Sequence, residues 1–159
     1  MRRAAAVAAV AALAVVFSGG TAVADPAAPQ ENTPCPTDAA GAATRPADAK
    51  MPLVCTGGSW QAETTPQPPN DRWLSVGPPV LLHGDGRRNP DVQSGDWTAT
   101  PRNADTRCRA EQTTVLEPGV LTAPEIAEGP AGQPLEVTFK PRLFGLQLSG
   151  DCLWTRTSG

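Results

Sequence analysis

Four cysteines, one histidine and a short run of oxygen donors are the residues of this chain with chemistry to offer. Cys35, Cys55, Cys108 and Cys152 include no closely spaced pair, and His83 lies near none of them. Zinc ligands would be expected at shorter spacing, so the cysteines read as two disulfides. Three pairings are possible. The order along the chain favours Cys35 with Cys55 and Cys108 with Cys152, and such loops would stabilise the fold by about 3 and about 4 kcal/mol in a chain-entropy account. A hydrolase would have to use His83 as its one imidazole. The nearby carboxylates are Asp85 and Asp91, so His83 with either of them is the candidate acid/base pair. There is no G-x-S-x-G elbow, no H-E-x-x-H helix and no phosphate-cradling glycine loop. Glu117, Glu125, Glu128 and Asp151 are free to meet in space. Asp85, Asn89, Asp91 and Asp96 partly follow the order of a calcium loop. Arg87 stands at a ligand position, however, Pro90 replaces the turn glycine and Asp96 replaces the bidentate Glu. A solvated hairpin loop over 83–91 is the better reading, and no metal or cofactor is implied.

The tryptophans are the other lead. Trp60, Trp73, Trp97 and Trp154 each combine a large apolar face with one donor, which suits stacking on sugars or anchoring a protein partner. Core filling competes with that role, because the chain has only 3 Phe and no Tyr. Trp97 and Trp154 stand next to cysteines or at strand parity positions and read as core. Trp60 and Trp73 are flanked by Pro-rich loops and are the candidate ligand-binding residues.

The elements that would position these groups start after an export signal. Met1-Arg2-Arg3 is followed by an uninterrupted apolar run, Ala4 to Phe17, and by Ala22-Val23-Ala24. These are the three parts of a secretory signal peptide. The run falls short of the roughly 20 residues that span a bilayer, so residues 1–24 are expected to be cleaved and the mature chain to lack a membrane span. Removing Arg2 and Arg3 from the 13 basic residues leaves 11 against 16 acidic ones. That balance argues against nucleic acid as a partner, since clustered cations are needed to displace its counterions.

Residues 25–50 are rich in Ala, Pro and Thr, with little to bury, and read as a flexible, disordered segment. Cys35 would tie its distal part down. From residue 51 onward the chain shows short alternating runs bounded by turn residues. Met51 to Cys55 reads as a short edge strand. Trp73 to Val76 alternates, and Val80-Leu81-Leu82 is short and apolar. Trp97 to Thr100 and Arg107 to Glu111 read as a hairpin joined by Pro101 to Asp105. Val115-Leu116 and Val120-Leu121 flank the turn Glu117-Pro118-Gly119, and Thr122 to Gly132 is loop-like. Leu135, Val137 and Phe139 share one face. Pro141-Arg142 then turns the chain, and Phe144, Leu146 and Leu148 alternate with Gly145, Gln147 and Ser149. Cys152 and Trp154 continue that parity toward the same core. No segment sustains a helical period. The expected fold is mainly β: a small antiparallel β-sandwich or barrel over 51–159, with disulfides making up for a thin core.

The order Gly-x-Trp, Cys108, an L-x-V-x-F strand and Gly150-Asp151-Cys152-Leu153-Trp154 resembles small exported actinobacterial domains of unknown function. The resemblance covers residues 94–156, and the excess of Arg over Lys with abundant Ala, Pro and Gly fits a GC-rich genome of that kind. It implies a β-domain and an extracellular place, and it carries no catalytic residues. The expectation is a secreted, non-catalytic domain that binds a cell-envelope component or an exported protein. The alternatives are a small secreted hydrolase using His83 and an extracellular protease inhibitor presenting the 83–91 loop.

Overall fold

A computed structural model describes residues 27–63 and 69–158. The signal-peptide expectation over residues 1–24 lies outside them. The described chain is mainly β, with twelve strands and one 3₁₀ turn at Thr37–Ala39. The strands are β1 (Ala43–Thr44), β2 (Leu53–Thr56), β3 (Ser59–Ala62), β4 (Arg72–Ser75), β5 (Val80–His83), β6 (Gly95–Pro101), β7 (Arg109–Glu117), β8 (Val120–Leu121), β9 (Glu125–Glu128), β10 (Leu135–Phe139), β11 (Leu143–Ser149) and β12 (Cys152–Ser158). Sheet A runs β10-β6-β12-β4-β1-β2-β3, and sheet B runs β5-β11-β7, with β8 and β9 both paired to β7. Every pairing is antiparallel except β1 with β4.

The two sheets form a sandwich because their strands alternate buried and exposed residues. Sheet A turns Trp73, Trp97, Ala99, Phe139 and Trp154 inward, and sheet B answers with Val80, Leu82, Ala110, Leu146 and Leu148. Trp97 and Trp154 flank Phe139 at ring-centroid distances of 5.6 and 6.4 Å. Three buried indoles find acceptors, as buried Trp must: Trp73 Nε1 donates to Asn70 O, Trp97 Nε1 to Gln93 O and Trp154 Nε1 to Ser75 Oγ. In β11 the register slips between Leu143 and Gly145. The slip turns Leu143 into the core and leaves Phe144 half-buried, with the Arg87 guanidinium 4.8 Å above its ring.

Both disulfides pair as expected, Cys35 with Cys55 and Cys108 with Cys152. Cys108 precedes β7 and Cys152 opens β12, so their bond joins sheet B to sheet A inside the core. The turn that delivers Cys152 needs Gly150. Its φ is +91°, and a Cβ there would come within 2.3 Å of Arg107 O.

Several expectations are corrected. The part of the 25–50 segment that the structure describes is not a flexible tail. β1 sits between β2 and β4, and Ala39 and Ala42 are buried on the outer face of sheet A with Leu53, Cys55, Trp60, Leu74 and Val76. Short alanines allow a chain this poor in bulk to lie close on a sheet. β2 is therefore an interior strand, and β3 is the edge. The strands at 95–101 and 109–117 do not form a hairpin, because β6 lies in sheet A and β7 in sheet B. β10 and β11 likewise belong to opposite sheets. The stretch 122–132 contains β9, which its flanking Pro124 and Pro130 conceal. The 83–91 loop crosses between the sheets instead of closing a hairpin. Alternation identifies strands but carries no record of which strand pairs with which.

Candidate functional site

A groove of about 890 Å³ opens beside β1, β2 and β4, with the β5–β6 loop along one wall. Ala43, Val54 and Trp73 line it from the sheet, and Met51, Pro52, Pro69 and Pro90 contribute apolar rim. Its charged lining balances: Arg45, Lys50 and Arg72 against Glu63, Asp71 and Asp91. Such a groove does not select a ligand by net charge. Its apolar floor and charge-balanced rim suit an uncharged or mixed-charge ligand.

The β5–β6 loop is held by a small set of contacts. Asp85 accepts from the backbone N–H groups of Ser94 and Leu143, each at 3.0 Å, and from the Ser94 hydroxyl. Gly86 N donates to Leu143 O at 2.6 Å, and Asp91 N and Val92 N both donate to His83 O. At the loop's far end Asp91 takes a bidentate ion pair from Arg45, Nη1 to Oδ2 at 3.0 Å and Nη2 to Oδ1 at 2.6 Å. It also accepts the His83 backbone N–H at 2.8 Å. Arg45 therefore ties the N-terminal segment to a loop 46 residues away. A bidentate pair fixes orientation as well as distance.

His83 faces the groove with its side chain 44% exposed, and its Nδ1 lies 3.9 Å from Asp91 Oδ2. That is beyond hydrogen-bond length. Partial burial lowers its pKa below 6.5, the Arg87 charge lowers it further, Asp91 opposes and Arg45 adds a smaller downward push. The imidazole is therefore biased to its neutral form, able to donate or accept one hydrogen bond to a ligand. Asp91, as its acid/base partner, already holds two guanidinium N–H groups and a backbone N–H, and Asp85 holds two backbone N–H groups and a hydroxyl. Both carboxylates serve the loop's shape. The cysteines offer no thiol, since none is free among the described residues.

The four oxygen-bearing residues of the calcium-like pattern do not converge. Asp85 and Asp91 are engaged as above, and Asp96 on β6 accepts from Thr138 of β10 and Ser158 of β12, the strands on either side of it. Trp60 and Trp73, the candidate ligand-binding residues, are buried, 2% and 1% exposed, and Trp73 alone of the two lines the groove. Trp60 fills the cluster under residues 35–42. Trp73 fills the space between the sheets and gives the groove only its edge. A core with so few aromatics uses all four indoles as bulk. Sequence reasoning missed Arg45, Lys50 and Met51, which lie within or beside a segment taken as a tail. Only a pairing over 46 residues marks Arg45, and no local pattern reveals that.

A scan against protein-family models, a search of curated proteins and a search of solved structures each find no match.

Proposed function

We propose that this chain is an exported, non-catalytic binding domain whose ligand, a cell-envelope component or another exported protein, seats in the groove beside β1, β2 and β4. The observation that carries the reading is the groove's construction: apolar floor, balanced rim and a wall pinned by Arg45–Asp91. Preorganisation of this kind lowers the ordering cost of binding. The signal-like N-terminus and two disulfides favour an oxidising, extracellular place. Among the described residues no helix is long and apolar enough to cross a membrane. The test is binding of the mature chain to envelope fractions and exported proteins, with Met51→Glu and Lys50→Glu beside the remote control Gln133→Ala. Loss of binding in the groove variants alone supports the reading. No binding, or binding that the groove variants leave intact, sinks it.

A second reading, a protease inhibitor, draws on the 84–89 loop, which is tied to β11 yet exposes Arg87, Arg88 and Asn89. It expects one-to-one inhibition of an arginine-specific serine protease. Ordinary turnover at Arg87 or Arg88 would remove it.

A further inference from the structure

The two faces of the sandwich are finished differently. The outer face of sheet A lies under residues 35–42, stapled by Cys35–Cys55. On the outer face of sheet B, Leu81 is 61% and Ile126 59% exposed. Of the six exposed large hydrophobics among the described residues, five belong to sheet B: Leu81, Leu116, Val120, Leu121 and Ile126. Leu81 and Ile126 give this otherwise polar face exposed apolar side chains, a feature of interaction surfaces.

The register says what fits it. Leu81 pairs with Gln147, Gln147 with Glu111 and Glu111 with Ile126, so these four residues form one row across β5, β11, β7 and β9. Their neighbours Leu82, Leu148 and Ala110 are buried, so the row points outward. An apolar residue stands at each end, with an amide and a carboxylate between. In the next row, Gly145 pairs with Thr113. A Cβ on Gly145 would meet only Thr113 Oγ1, at 3.4 Å, so packing within the chain does not require a glycine there. A mid-strand glycine costs about 0.5–1 kcal/mol. It marks a bulge, as the register slip beside Gly145 does here, or close approach of another backbone. Arg107, Arg109, Glu111 and Glu128 form a cluster of ion pairs at 2.9–4.0 Å on this side. These four sum to zero on a chain of net charge −3, so the cluster does not repel its own copy.

We propose that the outer face of sheet B is a two-fold interface between two copies of this chain. An axis lying in the interface along the strands, between β11 and β7, reverses the row. Leu81 then lies over the partner's Ile126 at both ends, and the Gln147 amide faces the partner's Glu111 carboxylate as donor to acceptor. Gly145 lets the sheets approach at the centre. This is the self-complementarity that an isologous interface demands. Two inner strands of about seven residues and two outer ones of four cover roughly 350 Å² in projection per copy. That places the dimer at the small, weak and reversible end of interfaces.

The inference does not rest on the groove or its ligand, although His83 both lines the groove and ends the row of Gly145 and Thr113, and its test uses the full mature chain. Sedimentation equilibrium is expected to give twice the chain mass at about 100 μM, with Leu81→Asp or Ile126→Asp weakening association at least about tenfold. Both positions are exposed, and a native disulfide map and an unchanged near-UV spectrum confirm that each variant is folded. In oxidative cross-linking, Leu81→Cys mixed with Ile126→Cys is expected to give the mixed dimer, and neither variant alone a dimer. A single-chain mass at that concentration overturns the proposal. So does a dimer indifferent to both Asp variants, or self-linking of Leu81→Cys in place of the mixed product.

Discussion

At the scale of single residues, Asp91 joins two distant parts of the chain. It closes the β5–β6 loop onto Arg45 and onto the backbone of His83. The pair's side chains are only 19% and 12% exposed, so removing one partner leaves a charge poorly solvated. Asp91→Ala is expected to cost about 2 kcal/mol in urea unfolding; a cost near zero would show that the loop holds without it. His83 sets a pH dependence. Burial favours the neutral imidazole, so its pKa in the folded chain lies below 6.5, its value when unfolded. Between those two values the unfolded chain binds more protons, and stability rises with pH. The contribution of His83 is therefore present above 6.5 and lost as the pH falls below it. Asp96 acts lower on the scale. The hydroxyls of Thr138 and Ser158 hold its pKa below 3.8, so its contribution is present above that value and lost in stronger acid. In melting curves, His83→Gln should remove the decline just below pH 6.5 while leaving the acid limb in place. An unchanged profile would contradict this account.

At the scale of elements, strands and turns were legible because each carries its own signal. The runs at 73–76, 80–82, 97–100, 135–139 and 144–148 all form strands, and Glu117-Pro118-Gly119 turns β7 into β8. Partnership was not legible. Consecutive strands β5 and β6, β6 and β7, and β10 and β11 fall in opposite sheets, and a period of two is the same for a hairpin as for a crossover. The groove was hidden for the same reason, since its lining comes from four separate stretches of chain. The crossover after β5 shows how tightly such a connection is fitted. A Cβ at Gly84 would lie 2.3 Å from Leu143 O, and one at Gly86 2.6 Å from Arg142 O. These are backbone atoms of Leu143, which opens β11, and of the residue before it, and they cannot swing aside as a flexible side chain can. Gly84→Ala is expected to lower stability by about 3 kcal/mol. Gly57→Ala meets open space and should cost only the strain of its +60° φ. Comparable melting temperatures for the two variants would refute the close fit.

At the scale of the whole molecule, the two disulfides hold different things. Cys108–Cys152 spans 44 residues and joins the sheets through the core that holds Trp73, Trp97 and Trp154. Cys35–Cys55 spans 20 residues and clamps the cover onto the outer face of sheet A. The chain-entropy difference between them is only about 1 kcal/mol, so unfolding free energies alone distinguish them poorly. Their places in the fold distinguish them well. Replacing Cys108 and Cys152 by Ala removes the link between layers and opens volume in the core. It is expected to shift the global transition by about 4 kcal/mol, with all protected amides exchanging faster together. Replacing Cys35 and Cys55 by Ala should instead release residues 35–42. Leu53, Trp60 and Leu74 then lose their cover, and amide exchange should accelerate in β1, β2 and β3 while β6, β11 and β12 keep most of their protection. Hydrogen exchange read by mass spectrometry separates the two patterns. Uniform acceleration in both variants would mean that the cover and the sandwich unfold as one unit. In that case the N-terminal segment would be as much a part of the core as any strand between the sheets.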